Sequence, residues 1–506
     1  MDFDAILDRQ LEEAAHLNGE HVHPKLLKMF QLAGMDATFV RGHGQYLWDA
    51  HDTRYLDFLS GGGAHFLGRN HPGVNAALIS LLGRDLANLT VVNPALLSGL
   101  VAQRLLELAG PGFSKVIFAN TGSETTEVCV RFARYVTRRR RFLYLEGAFH
   151  GRSYAAVSLC GSPALREGQD PLMPTCTPLR RNDLKQLRQE LRMGDVAALV
   201  VEPVQGMTCE ATDRAWLREA QLLCEEHGTL LVADEVQTGL GRTGSWFAST
   251  AMGVRPSMMT VSKTLSGGQV PVGAVLVSDE VYQRVFSTFT SGPFYFSTFA
   301  ENNLAMAAAL ATLDGLAEID APARAAALGE QLRHGVETLA RRYDCIERFA
   351  GRGLMACVYF RPSASSLRLR AEQAALAAAD PGAFGAAVHV ELYRKHKILV
   401  QIPGPGLDAV KILPPVCTTQ DDVRAFLDAL DDTLGAWYDG PGPAAALVRT
   451  SGGALLGQAA AALPTTGFAG AMRALLTRPT SPPWSPDAPA PAMPKKSSPP
   501  TDTRES

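Results

Sequence analysis

Five groups capable of chemistry recur in one setting along this chain. Thr121-Gly122-Ser123, Phe149-His150, Glu202, Asp234 and Lys263 each stand just past a short apolar run. Those runs are residues 116–119, 142–145, 198–201, 230–233 and, less clearly patterned, 258–261. Read as strands, they deliver every one of these groups to the carboxyl edge of a sheet, which is where open α/β sheets bind ligands. Folding alone gives no reason for five such deliveries.

Each group suggests a task and also has an ordinary explanation. Gly122 opens a helical pattern through ETTEVCVRFARYV. The free N–H groups and positive dipole end of such a helix hold phosphate, and a glycine lets the backbone come close. A plain helix N-cap at Ser123 accounts for the same residues. Asp234 follows an apolar strand, so its carboxylate needs a cation or an N–H donor at low dielectric. A protonated ring nitrogen would serve, and would keep that ring able to take up carbanion electrons. An arginine or a helix N-terminus of the protein would serve as well. Lys263, in SKTLSGG, reads by itself as a surface lysine; beside Asp234 and a phosphate cradle it becomes a candidate Schiff-base amine.

The elements that position these groups follow from pattern. With 506 residues, at least two domains are expected. From Pro72 onward helical and strand patterns alternate, which implies βα units and a largely parallel sheet. Upstream, residues 46–48, a polar turn at 49–53 and residues 55–59 read as a hairpin. After Glu301 an Ala-rich helix is expected through AMAAALATLDGLAEI, with further helices and strands to about Tyr438. Beyond Gly440 the chain is Ala/Gly-rich, and from Pro479 it is Pro/Ser-rich. Such composition does not offset chain entropy, so disorder is expected at least from 479, with a short helix at 455–476 as the alternative for that stretch.

Composition narrows the function classes. Hydrophobic residues make up 46% and charged residues 20%, an ordinary soluble balance. A net charge of -3 and a pI near 6.5 leave no basic field for nucleic acid. The eight cysteines are scattered with no CxxC pair, which argues against a disulfide framework or a zinc site and for reduced thiols. His21 and His23 lack metal-ligand company, so no metal is expected. The acidic N-terminus is no signal peptide, and no run reaches the ~20 apolar residues of a membrane span; a cytoplasmic protein with no membrane contact is expected. No G-x-G-x-x-G falls at a strand-to-helix junction, which sets aside a nucleotide-binding dehydrogenase.

The ordered set TGSET, AFHGRS, VEPVQG, LLVADEVQTGLGRTG and SKTLSGG resembles the class III (subgroup II) aminotransferases of fold type I, over about residues 40–430. Ornithine, acetylornithine, 4-aminobutyrate and diamine aminotransferases are members. DEVQTGLGRTG followed by SKTLSGG carries the resemblance; TGSET alone would not. The family's fold is α/β, with a mostly parallel sheet in a large domain and a smaller α+β domain built from both chain ends. Here that implies residues 1–71 and 336–439 for the small domain, 72–335 for the large one, and 440–506 as a tail.

The resemblance also implies pyridoxal 5′-phosphate (PLP) as cofactor, with an amine donor and an oxo-acid acceptor. Lys263 would form the Schiff base and shuttle a proton, Asp234 would pair with the pyridine nitrogen, and Gln237 would bond near the phenolic oxygen. Gly122 and Ser123 would bind phosphate, Phe149 would stack on the ring, and His150 and Glu202 would support from nearby. Thr298, in FSTFAENNLA, matches a position that reaches the phosphate site of the neighbouring subunit, which implies a homodimer with shared active sites.

Two departures bear on the substrate. Met207 stands where glutamate-using members carry an acid, and Lys411, in KILPP, stands where they carry an arginine. Lysine keeps the charge but loses the planar fork that grips a carboxylate. Three glycines at 61–63 also open a segment that usually lines the substrate entrance. An ω-amine or diamine donor is the resulting expectation. An aminomutase, decarboxylase or racemase on the same fold is the alternative, as fold does not settle reaction. A non-catalytic descendant acting as a binding protein predicts damage at Lys263 or Asp234, and both are intact.

Overall fold

The computed structural model describes residues 1–90, 93–288, 295–378 and 380–443. Beyond 443, the tail expected to be disordered, with its possible helix at 455–476, lies outside the described residues.

Near the N-terminus, β1 (Phe39–His43), β2 (Tyr46–Asp49) and β3 (Arg54–Asp57) form an antiparallel meander. Asp49 makes the turn between β2 and β3, its Oδ1 accepting from the N–H groups of His51 and Thr53, both at 2.9 Å. The second strand was expected to run to Leu59 and ends at Asp57 instead. The Asp57 Oδ1 accepts from the N–H groups of Leu59 at 3.1 Å and Ser60 at 2.8 Å, which turns the chain out of the sheet. Residues 60–63 follow with φ between 45° and 93°, a left-handed run that three of its four residues, being glycine, adopt without a Cβ penalty.

The central sheet holds seven strands: β4 (Lys115–Ala119), β5 (Arg141–Leu145), β6 (Cys176–Leu179), β7 (Val196–Val201), β8 (Leu230–Asp234), β9 (Met258–Val261) and β10 (Gly273–Val277). Their order is β4-β10-β9-β8-β7-β5-β6, parallel throughout except for β10, which runs antiparallel to both neighbours. Five strands fall where the apolar runs indicated; β6 and β10 were not foreseen. Successive side chains serve opposite faces. Phe142, Val200 and Val232 pack with Phe132 of the helix Gly122–Thr137. Leu143, Leu199 and Leu231 pack with Trp216 and Leu217 of the helix Arg214–Glu226. Cover on both faces is why these strands read as unbroken apolar runs rather than as alternation. Each such side chain contributes about 1.5–3 kcal/mol on burial.

Past the long helix Ala321–Arg342 come β11 (Ile346–Arg352) and β12 (Met355–Phe360), then β13 (Ile398–Leu399) and β14 (Ala409–Ile412). β11, β12 and β14 make an antiparallel sheet in which Cys357 stands opposite Lys411. β13 instead pairs in parallel with β3, Ile398 beside Leu56 and Leu399 beside Asp57. Early and late segments therefore meet in one sheet. No helix among the described residues is long and apolar enough to cross a membrane.

Candidate active site

A cavity of about 490 Å³ lies at the carboxyl edge of the parallel strands. Asp234 and Lys263, delivered by β8 and β9, both line it. Gly122, Ser123, Phe149, His150, Glu202 and Gln237 line it too, as do the two substrate candidates, Met207 and Lys411. Thr298 is the exception. It is exposed and lines a different hollow, beside Ile117 and Phe118, so one chain alone does not bring it to the cavity.

Asp234 is 5% exposed and well partnered. Its Oδ1 accepts from the Val236 N–H and from the Thr260 hydroxyl, each at 3.0 Å, and its Oδ2 lies 2.6 Å from His150 Nδ1. Its partner within the protein is thus a histidine rather than an arginine or a helix end. Burial alone would raise the Asp234 carboxyl; the His150 hydrogen bond and charge override it and hold the group below its ordinary range. Burial likewise works against a charged His150, and Asp234 outweighs it, so the imidazole titrates above its usual value. The two shifts agree on an ion pair.

Glu202 follows β7 and acts on the backbone. Its Oε2 accepts from the Phe149 N–H at 3.0 Å and its Oε1 from the Gly206 N–H at 2.7 Å, which fixes the loop presenting the Phe149 ring. Burial raises the Glu202 carboxyl, with His150 opposing.

Lys263 begins a tight turn at Lys263–Ser266 with a φ of 36°, a left-handed conformation that costs a non-glycine residue about 1–3 kcal/mol. Burial pushes its amine down to about 8, and the nearby Lys411 charge pushes the same way, against Asp234 and Glu202. About a tenth of the amine is then neutral and nucleophilic at pH 7, far more than for an ordinary lysine.

At the helix Gly122–Thr137 the cap is Thr121, whose Oγ1 accepts from the Glu124 N–H at 3.1 Å, and not Ser123 as the plain capping explanation had it. Ser123 Oγ accepts instead from the Arg152 N–H at 3.1 Å. A Cβ on Gly122 would fall 2.8 Å from Val236 Cγ1, so only glycine lets this helix end close against the cavity wall. PLP requires a home for its phosphate, a carboxylate for its ring nitrogen and an amine for its aldehyde. A 16-residue helix terminus, an ionised buried carboxylate and a depressed lysine supply those three on one cavity, so the residues fit the group.

Several features escaped the sequence reading. Arg152 lines the cavity and its guanidinium lies 5.8 Å from the Phe149 ring; its place in AFHGRS was the available signal. Gln237 sits between two partners, its Nε2 donating to the Gly62 carbonyl at 2.9 Å and its Oε1 accepting from Lys411 Nζ at 2.7 Å. Met207 packs so closely on Gly404 that a Cβ there would lie 1.7 Å from the Met207 methyl. Arg242, fully buried, donates to the carbonyls of Leu354 at 3.1 Å, Pro414 at 2.7 Å and Gly63 at 2.9 Å, with the Phe66 ring 4.2 Å away. Its burial lowers the guanidinium to about 9.

The family description "Aminotransferase class-III" matches residues 30–434. The putrescine aminotransferase of Pectobacterium atrosepticum is 33% identical over 400 residues, covering 77% of this chain and 80% of that protein. The acetylornithine aminotransferase of Streptomyces clavuligerus is 34% identical over 410 residues, covering 79% and 92%. Among solved structures, the ornithine aminotransferase of Toxoplasma gondii superposes with a TM-score of 0.70 at 27% identity, covering 79% of this chain and 91% of that one.

Proposed function

Because this chain belongs to the class-III aminotransferases and is thereby a PLP-dependent transaminase, we propose that Lys263 is the amine that carries the cofactor and that the donor is an ω-amine or diamine. The observation that carries this reading is the meeting of Lys263, Asp234 and the Gly122 helix end on one cavity.

When bound, PLP supplies an electron sink for the charge left on the donor carbon. The protein supplies the rest. Gly122 and Ser123 bind the phosphate with backbone N–H groups at a positive helix end. Asp234, kept ionised by His150, accepts a hydrogen bond from the ring nitrogen and favours its protonated form. Phe149 covers one ring face from a loop held by Glu202. Gln237, held by Gly62 and Lys411, would offer its remaining amide N–H to the cofactor's phenolic oxygen. Lys263 would hold the cofactor through its amine and, once that amine is free, would take the proton from the donor carbon and hand it back, a task suited to an amine lowered to about 8.

For the donor, Met207 places a thioether where glutamate-using members carry an acid, which removes a charged partner from that wall. The similarity to a putrescine aminotransferase supports the same class. We further propose a cytoplasmic homodimer in which Thr298 completes the partner's phosphate site. Its exposure between the exposed rings of Phe296 and Phe299 supports that reading.

The deciding experiment adds PLP to purified protein and then an amine donor alone, without acceptor. Loss of the visible band of the lysine-bound cofactor with putrescine, and no such band in Lys263→Ala, is the expected result. A Lys263→Ala variant that still transfers amino groups refutes the assignment. A strong preference for 2-oxoglutarate over pyruvate as acceptor refutes the emphasis on Met207.

A further inference from the structure

Lys411 reaches the cavity from β14 and is 2% exposed. Two of its ammonium donors go to the protein, one to the Gly206 carbonyl and one to Gln237 Oε1 at 2.7 Å. An ammonium has three N–H groups, so at most one is left for the cavity, which cannot grip a carboxylate at two points.

What those bonds achieve is the orientation of an amide. Gln237 presents its oxygen to Lys411 and one N–H to the Gly62 carbonyl at 2.9 Å. Turned over, the amide would set its NH₂ against an ammonium and its oxygen against a carbonyl, so both ends resist the flip. The second N–H is thereby left as a donor on a residue that lines the cavity. The two backbones that supply these anchors are themselves tied together. Arg242 donates to Gly63, next to Gly62, and to Pro414, three residues past Lys411.

We infer that Lys411 is a positioning residue, fixing the Gln237 amide for the cofactor rather than anchoring a substrate carboxylate. The inference rests on the PLP-transaminase reading above and sharpens its donor class, since it leaves the cavity without a forked carboxylate grip at this position. A second effect accompanies the first. Next to burial, the Lys411 charge helps keep the Lys263 amine low, so removing that charge favours protonated Lys263 and moves its titration upward.

The test compares Lys411→Met and Lys411→Arg with the parent protein, full-length and loaded with PLP. Three quantities are read: PLP dissociation by intrinsic fluorescence, the pH midpoint of the cofactor's visible band, and single-turnover donor reactions. The donors are putrescine, which has no carboxylate, and 4-aminobutyrate, which has one. Lys411→Met is expected to weaken PLP binding roughly tenfold, to shift the pH midpoint upward, and to slow both donors by the same factor within about threefold. Lys411→Arg, which keeps the charge, is expected to recover most of the PLP affinity.

Unchanged PLP affinity and pH midpoint, with loss confined to 4-aminobutyrate, would overturn the inference. Should Lys411→Met fail to fold, Lys411→Gln removes the charge while keeping a donor, and the same two patterns decide. A parent protein that binds PLP but does not react with putrescine refutes the donor reading instead; the affinity and pH arms still decide the place of Lys411.

Discussion

The floor of the cavity and its wall are built on different terms. The floor comes from strand ends of the central sheet: Asp234, Glu202, Lys263 and the Gly122 helix end. Its two carboxylates are buried, and each has two or three partners at 2.6–3.0 Å. The wall comes from residues 401–405 and from Met207, whose thioether lies against Gly404, while Lys411 beside it is tied to the Gln237 amide and goes with the cofactor side. The contrast teaches a division of labour. Groups that handle the cofactor are over-determined by the sheet, whereas groups that face the substrate rest on few contacts and can change without disturbing it.

Substitutions in the floor should therefore cost far more than substitutions in the wall. Lys263→Ala removes the amine proposed to move the proton, and the transamination rate should fall by roughly 10²–10⁴ or more, read in steady-state turnover. Asp234→Asn should cost roughly a hundredfold in turnover and should weaken PLP binding, because the ring nitrogen loses its anionic partner and His150 is left without its own. His150→Asn leaves the carboxylate in place but removes the group that keeps it ionised. A loss of about tenfold is expected, steeper at acidic pH, where the released Asp234 takes up a proton.

The pH dependence of cofactor capture probes the same floor more gently. On the proposed reading neutral Lys263 is the reactive form, and burial lowers its amine to about 8. The rate of PLP incorporation into cofactor-free protein should thus rise about tenfold per pH unit below that value and flatten above it. A flat profile from pH 6 to 9 would contradict the depressed amine. The wall supplies the smallest effect. Gly404→Ala puts a Cβ where the Met207 methyl lies, and methionine is flexible enough to swing aside. The expected outcome is a severalfold change in KM among amines of different bulk, with an unchanged melting temperature. A large loss of stability there would erase the distinction between floor and wall.

The same contrast explains what could be read from residues alone. Floor residues are legible because strand, breaker and polar group lie adjacent in sequence, as in the run from Leu230 to Asp234 followed by Glu235. Both the five apolar runs and the TGSET helix fall where pattern put them. β10 was missed because its residues, GAVLV, show burial but carry no mark of direction, and its antiparallel insertion between β4 and β9 is a property of the whole sheet. The Lys411–Gln237 bond spans 174 positions and the Met207–Gly404 contact nearly 200, so no local pattern announces either. The His150–Asp234 pair was partly visible: an apolar strand ending in a carboxylate demanded a partner, but residue chemistry did not say which.

The pairing of β13 with β3 has a consequence for how the protein comes into being. A ribosome that has finished Lys263 has made every group of the floor, yet Leu56 still lacks its neighbour Ile398 and the Gln237 oxygen still lacks its ammonium. At about 5–20 residues per second, the stretch from 263 to 411 keeps the nascent chain waiting for several seconds or longer. Cofactor capture should accordingly come late, after residue 411 is made, and a chain released before residue 398 should lack the strand that pairs with β3.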